Sequence, residues 1–244
     1  MSVRLYRVNG SHPCATVEAA LELKGISYRI VELIPPLHAP VMRVLFGRRT
    51  VPAMTIDGEK ISGSRAILRR LDELVPEPAL LPADADQRAA VLEAEAWGDE
   101  VLQPLVRRVL WPTFRAHPEA MASFQEGGKL PPLPLPVLRL IAPGATRLEM
   151  RMNGATDATY RADLRALLTL LDRIDGWIAA GVLGAASPNA ADLQIAASLR
   201  LLMCLGDLRP LIEPRPAGAL ALKVFPSRAG DAPTGLIPAD LLPA

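Results

Sequence analysis

From residue 75 to residue 86 the chain reads VPEPALLPADAD, with three prolines and no regular hydrophobic period. Proline cannot donate a backbone hydrogen bond, and it forces the preceding residue out of the helical region, so such a stretch ends regular structure. The two sides of this break have different character. Before it, short alternating segments exchange with helical ones; after it, only helical periodicity remains. The expected boundaries are an α/β domain over residues 1–75, a linker over 76–86 and an all-helical part over 87–244.

Within the first part, VRLYRV (3–8) reads as a strand, and PCATVEAALELKG reads as a helix with Val17, Ala20, Leu21 and Leu23 at helical spacing before Gly25. SYRIVEL alternates as a second strand. A loop holding Pro35, Pro36, His38 and Pro40 follows, then VPAMTIDGEKIS reads as a hairpin turning at Asp57 and Gly58. SRAILRRLDEL is a helix with Ile67, Leu68, Leu71 and Leu74 on one side. In the second part, residues 87–116 and 157–180 and PNAADLQIAASLRLLMCL carry helical periodicity. Residues 127–148, rich in proline, read as an insertion, and the last thirty or so residues as a tail rich in proline and glycine.

Half of the 244 residues are hydrophobic, which provides ample core material, and the formal net charge is only +1. Without a basic stripe or charge block, nucleic acid is not an expected partner. MSVRLYRVNG lacks the apolar run of a signal peptide, and apolar stretches elsewhere are broken before the roughly 18 to 20 residues needed to span a bilayer. A cytoplasmic protein with no membrane contact is expected. Cys14 and Cys204 are far apart and form no CxxC, so neither a disulfide framework nor a metal site is expected.

Three motifs carry possible chemistry. In TVPAM, Pro52 opens a strand and fits an edge, a bulge or a turn with a cis peptide bond; in the last case the main chain of Val51 is free to pair with an extended peptide ligand. In GSRAI, the helix start favours an anion, and Ser64 either caps the helix or turns its hydroxyl to a bound carboxylate. In GSHPC, Pro13 sits in the first turn of a helix, so Ser11 and Cys14 both lie near its positive end. A hydroxyl at Ser11 donating to a ligand thiolate, worth about 1.5 to 3 kcal/mol, lowers a thiol pKa by roughly one to two units. Cys14 is the alternative nucleophile, since helix N-termini lower cysteine pKa values. Position alone does not separate them.

In this order, SHPC before the first helix, TVPAM before the third strand, DGEKISGSRAI entering the third helix, and a helical second part resemble the cytosolic glutathione transferase superfamily. The resemblance implies a thioredoxin-like α/β N-terminal domain joined to an all-α C-terminal domain, a homodimer, and glutathione or a similar thiol as cosubstrate, with no metal or redox cofactor. The SxPC form looks most like the delta and theta classes, which implies that Ser11 stabilises the thiolate and that Cys14 packs. It further implies that His38 and Arg49 lie near the glycine end of glutathione, that Val51, before Pro52, pairs with the cysteinyl part, and that Ser64 and Arg65 hold the γ-glutamyl part. Cys14-dependent thiol exchange, and a non-catalytic scaffold of the same fold, are the alternatives.

The family has an acid where this chain has Gly63, so the α-amino group of the γ-glutamyl part lacks its usual partner; Asp99 or Glu100 of a neighbouring subunit is a candidate substitute. Trp97, Trp111 and Phe114 share the helical face that borders the electrophile site in this family. SPNAADLQIAASL resembles the capping box of the family's central helix, with Asn189 and Asp192 as its two members.

Overall fold

The computed structural model describes residues 1–243. Its sheet has the strand order β2-β1-β3-β4, from β1 (Val3–Val8), β2 (Arg29–Leu33), β3 (Ala53–Ile56) and β4 (Glu59–Ser62). β1 is parallel to β2 and antiparallel to β3, placing Leu5 between Ile30 and Met54. The β1 to β2 connection is α1 (His12–Leu23), as a parallel pair requires a crossover. Strand alternation sends Val3 and Leu5 inward, where they join Val17, Ala20 and Leu21 of α1 and Ile67, Leu68 and Leu71 of α3 (Ser64–Leu74) in one core. Arg7 is buried on the same strand, held by Glu18 at 2.6 Å and Glu32 at 3.0 Å.

Two helices occupy stretches whose prolines argue against them. α2 (His38–Phe46) follows β2, with Pro40 in its first turn, where no intrahelical donor is lost, and Gly47 ends it in the left-handed region at φ 71. α6 (Leu135–Asn153) forms within the segment expected to be a proline-rich insertion. Pro136 sits in its first turn and Pro143 in its interior, and Leu138, Ala142, Glu149 and Met150 of α6 are buried where it packs along α5. Tertiary burial outweighs the roughly 3 kcal/mol that an interior proline costs a helix.

The stretch after α3 is pinned. The ammonium of Lys24, at the end of α1, donates to Asp72 at 2.6 Å and to the carbonyls of Val75 and Pro78 at 2.6 and 2.7 Å. α4 (Ala85–Trp97) continues through a π-helical turn (Gly98–Leu102) into α5 (Gln103–Ala116), and α7 (Asp157–Ala179) packs beside α5. α8 (Ala190–Leu202) is buried along nearly its whole length between α1, α4 and α10 (Pro216–Val224), with the short α9 (Arg209–Ile212) between α8 and α10. No helix among the described residues is long and apolar enough to cross a membrane.

α8 starts in a complete capping box. The Asp192 N–H donates to the Asn189 side chain at 3.0 Å, and the Asn189 N–H donates to the Asp192 carboxylate at 2.9 Å. Asn189 also donates to the Val182 carbonyl at 2.9 Å, and Asp192 accepts from the Gly184 N–H at 2.8 Å. Asn189→Ala removes the cap and the tie to Val182, and a loss of about 1 to 2 kcal/mol is expected, read as a lowered thermal midpoint.

Candidate active site

A cavity of about 420 Å³ opens between the C-terminal end of β1 and the helical part. One wall is the turn from β1 into α1, including Gly10, Ser11 and His12; a second is the loop after β2 with His38 of α2; a third is Arg49 to Val51. Facing them are Arg107, Leu110, Trp111 and Phe114 of α5 and Leu138, Ala142 and Glu149 of α6. The segment between α5 and α6 forms a further side, strapped to the sheet. Asn9 donates to the carbonyls of Phe124 and Glu126 at 2.9 and 3.0 Å, and the Glu32 carboxylate accepts from the Lys129 N–H at 2.9 Å. Gly128 sits close against this strap: a Cβ there would fall 2.8 Å from the Glu32 carboxylate, which would have to shift.

Ser11 is the N-cap residue of α1, in extended conformation, and its hydroxyl makes no cap bond. The first intrahelical bond, from Ala15 N–H to Ser11 carbonyl at 3.0 Å, leaves the earlier N–H groups at the positive end of the helix. Cys14 has the opposite environment. It is 1% exposed and lies outside the cavity wall, and burial pushes its thiol up to about 12, with the neighbouring Ser11 hydroxyl and Val8 main chain opposing without offsetting it. Helix-end stabilisation of a thiolate at Cys14, the alternative expected from sequence, is outweighed by the loss of water.

Val51 and Arg49 line the cavity, and Val51-Pro52 is cis. Pro52 is buried behind it, its carbonyl accepting from the Gly63 N–H at 2.9 Å. Ser64 and Arg65 lie outside the cavity lining, on the first turn of α3, whose first intrahelical bond is Ile67 N–H to Gly63 carbonyl at 3.1 Å. Arg65 is engaged within its own chain by Glu100 at 3.2 Å, Asp99 at 3.9 Å and Glu95 at 3.8 Å. Gly63 caps α3 at φ 91 and ψ 140, a conformation in which a side chain costs about 1 to 3 kcal/mol. The backbone itself therefore disfavours an acid at this position.

Of the three aromatics expected on one face, Trp111 and Phe114 line the cavity, and Phe114 packs edge-on against Phe124 at 4.9 Å. Trp97 instead packs on Trp177 at 5.2 Å, beside Arg173. The π-helical turn between Trp97 and Trp111 carries more residues per turn and so rotates the two out of phase.

Three further polar groups enter the cavity that sequence patterning did not single out for chemistry. His12 is buried with neither ring nitrogen bonded, and burial with the charges of Arg107 and Arg228 holds it neutral. Arg228, from the chain after α10, donates to the Gly10 carbonyl, so the tail supports the β1 to α1 turn from behind. Arg107 is half-buried and donates to Gln103 at 2.5 Å. Glu149 is buried on α6, its Oε1 without a partner and 3.8 Å from His38 Nδ1. Burial lowers the His38 pKa and raises that of Glu149 to about 7.

Comparison with known proteins agrees with this arrangement. Residues 5–79 match the family described as glutathione S-transferase, N-terminal domain. The first part of the chain is thus a match to the N-terminal domain of glutathione S-transferases. Over 80 residues it is 44% identical to the maleylacetoacetate isomerase of Rattus norvegicus, a match covering 31% of this chain and 37% of that protein. Over 92 residues it is 36% identical to the maleylpyruvate isomerase of a Ralstonia species, covering 36% of this chain and 43% of that one. The curated relatives are thus matched over less than half of their length. A solved glutathione S-transferase from Rhodospirillum rubrum superposes over 98% of this chain and 99% of its own, with a TM-score of 0.59 and 24% identity. The holo maleylpyruvate isomerase structure, described as a bacterial zeta-class glutathione S-transferase, superposes over 89% of each chain, with a TM-score of 0.57 and 20% identity. These likenesses show the two-part fold across the whole chain: a thioredoxin-like domain followed by an all-α one.

Proposed function

We propose that the chain is a glutathione transferase-like enzyme that activates a small thiol, glutathione or an analogue, beside Ser11 and joins it to an apolar electrophile held by α5 and α6. The observation that carries this reading is the cavity itself: Ser11, at a positive helix end and with a hydroxyl that makes no cap bond, lines it together with aromatic and aliphatic walls, while the nearby thiol of Cys14 is sealed in the core. A donor at a helix N-terminus favours thiolate over thiol, and apolar walls exclude the water that compete with it. His38 and Arg49 would meet the glycine carboxylate, Val51 the cysteinyl main chain, and Ser64 with the open N–H groups of α3 the γ-glutamyl carboxylate, with Arg65 beside it.

The family resemblance adds a homodimer to this reading, checked by light scattering. The curated relatives are named as isomerases of maleyl compounds, and that reaction belongs to the panel to be assayed. Ser11→Ala is expected to lower conjugation turnover at least about tenfold, through loss of a hydrogen bond worth about 1.5 to 3 kcal/mol. Cys14→Ala is expected to leave chemistry in place. Steady-state rates with glutathione and a generic electrophile decide between them. The opposite pattern would move the chemistry to Cys14, and a folded protein that binds no thiol in calorimetric titration would leave the scaffold reading.

A further inference from the structure

Glu149 has no counterpart among the groups that activate a thiol, yet it occupies the electrophile half of the cavity. Its side chain is 5% exposed, on the buried face of α6, and Oε1 has no hydrogen-bond partner. Its other oxygen accepts only a long bond from Asn153, one turn on, at 3.3 Å. The charged and titratable groups around it are few. His38 approaches from α2 at 3.8 Å, Arg107 acts from α5, and the turn Pro118–Met121, packed on α6, contributes the apolar Met121 to the cavity. A carboxyl group beside apolar walls, with an unused oxygen, is an expensive feature for packing alone.

Resting on the thiol-conjugating reading, we propose that Glu149 is the proton donor of this site when the electrophile is an activated alkene, an α,β-unsaturated carbonyl compound. The thiolate sulfur forms a bond to the β-carbon, and the π electron pair moves toward the carbonyl, giving an enolate. The carboxyl O–H of Glu149 then delivers its proton to the α-carbon and is left as a carboxylate. The proton given up by the thiol passes to solvent, and Glu149 regains one from solvent with His38 beside it, so atoms and charge balance over the cycle. Arg107 lines the same cavity and supplies fixed positive charge for the enolate oxygen. Displacement of a halide needs no such donor, because the leaving group departs as an anion and no carbon is protonated. Burial pushes the Glu149 carboxyl up to about 7, close to the pH at which a general acid is most effective.

The test uses the full chain, glutathione and two electrophiles, a conjugated enone and chlorodinitrobenzene. Glu149→Gln is expected to lower kcat for the enone about a hundredfold more than it lowers kcat for the halide reaction. The wild-type enone profile should fall through pH about 7, a limb that Glu149→Gln lacks and Glu149→Asp retains. Equal loss on both electrophiles, no loss on either, or an unchanged pH profile would overturn the role of Glu149 while conjugation stands. A wild-type protein inactive on both would overturn the conjugating reading instead, and this role with it. Circular dichroism of both variants establishes that they are folded.

Discussion

Arg69→Ala should lower the stability of the folded chain by about 3 kcal/mol or more, the usual consequence of leaving one member of a buried ion pair alone. Arg69 lies on α3, and its guanidinium donates to Glu95 of α4, so the pair joins the sheet-bearing domain to the helical one. The Glu95 side chain is fully buried, and its second oxygen has no partner. Burial already raises its pKa, with Arg69 the main opposing influence and Arg65, 3.8 Å away, a lesser one. Without Arg69 the native state must either hold an almost uncompensated carboxylate or bind a proton that the unfolded chain releases near 4.5. A raised native pKa means stability is lost as pH rises above that value, so the defect should deepen toward alkaline pH. Arg69→Met combined with Glu95→Gln removes both charges and should recover most of the loss. Denaturant unfolding of the three proteins checks this. A loss below about 1 kcal/mol in Arg69→Ala would mean that Arg65 alone suffices for Glu95.

The parts of the fold that were legible in sequence are those where local pattern and tertiary role coincide. β1, the hairpin at Asp57 and Gly58, and α3 each present apolar residues at their own period, and the structure places them within a residue or two of the expected limits. Asn189 and Asp192 signal their helix start from four residues because a cap is a local device. α2 and α6 were illegible for the converse reason: a proline-rich stretch reads as loop, although Pro40 falls in a first turn that tolerates it, and packing against α5 overrides the interior Pro143 of α6. The site divides in the same way. Ser11, His38, Arg49 and Val51 stand at turns and helix starts whose geometry a short motif specifies, and the cavity gathers them. Arg107 and Glu149 lie in RR and RLEMRMN, which no motif marks, and only the meeting of α5 and α6 turns those charges inward. The separation of Trp97 from Trp111 depends on a π-helical turn that no composition rule announces.

Glu149→Gln should stabilise the folded chain, and the gain should depend on pH. In the unfolded chain this carboxyl ionises near 4.5, whereas in the native cavity burial holds it up to about 7. Below the lower value both states carry the proton, and the charge costs nothing. Between the two values the unfolded chain gives up the proton and the native chain keeps it, so stability falls steadily as pH rises. Above the upper value the full cost is present, at about 1.4 kcal/mol for each unit of pKa difference. A neutral amide of the same shape avoids that cost, and its own oxygen can still accept from the Asn153 amide 3.3 Å away. The expected gain over wild type is therefore about 3 kcal/mol near pH 8 and about 1 kcal/mol near pH 5. Denaturant titrations of the two proteins at both pH values measure it directly, and a gain independent of pH would show that the carboxyl is not held protonated in the native state. A residue that destabilises its own fold at neutral pH, in a cavity wall, has the signature of stability exchanged for chemistry. The same substitution is thus expected to raise the unfolding midpoint at alkaline pH and to lower turnover of an activated alkene, a pairing that a residue with only a packing role would not produce.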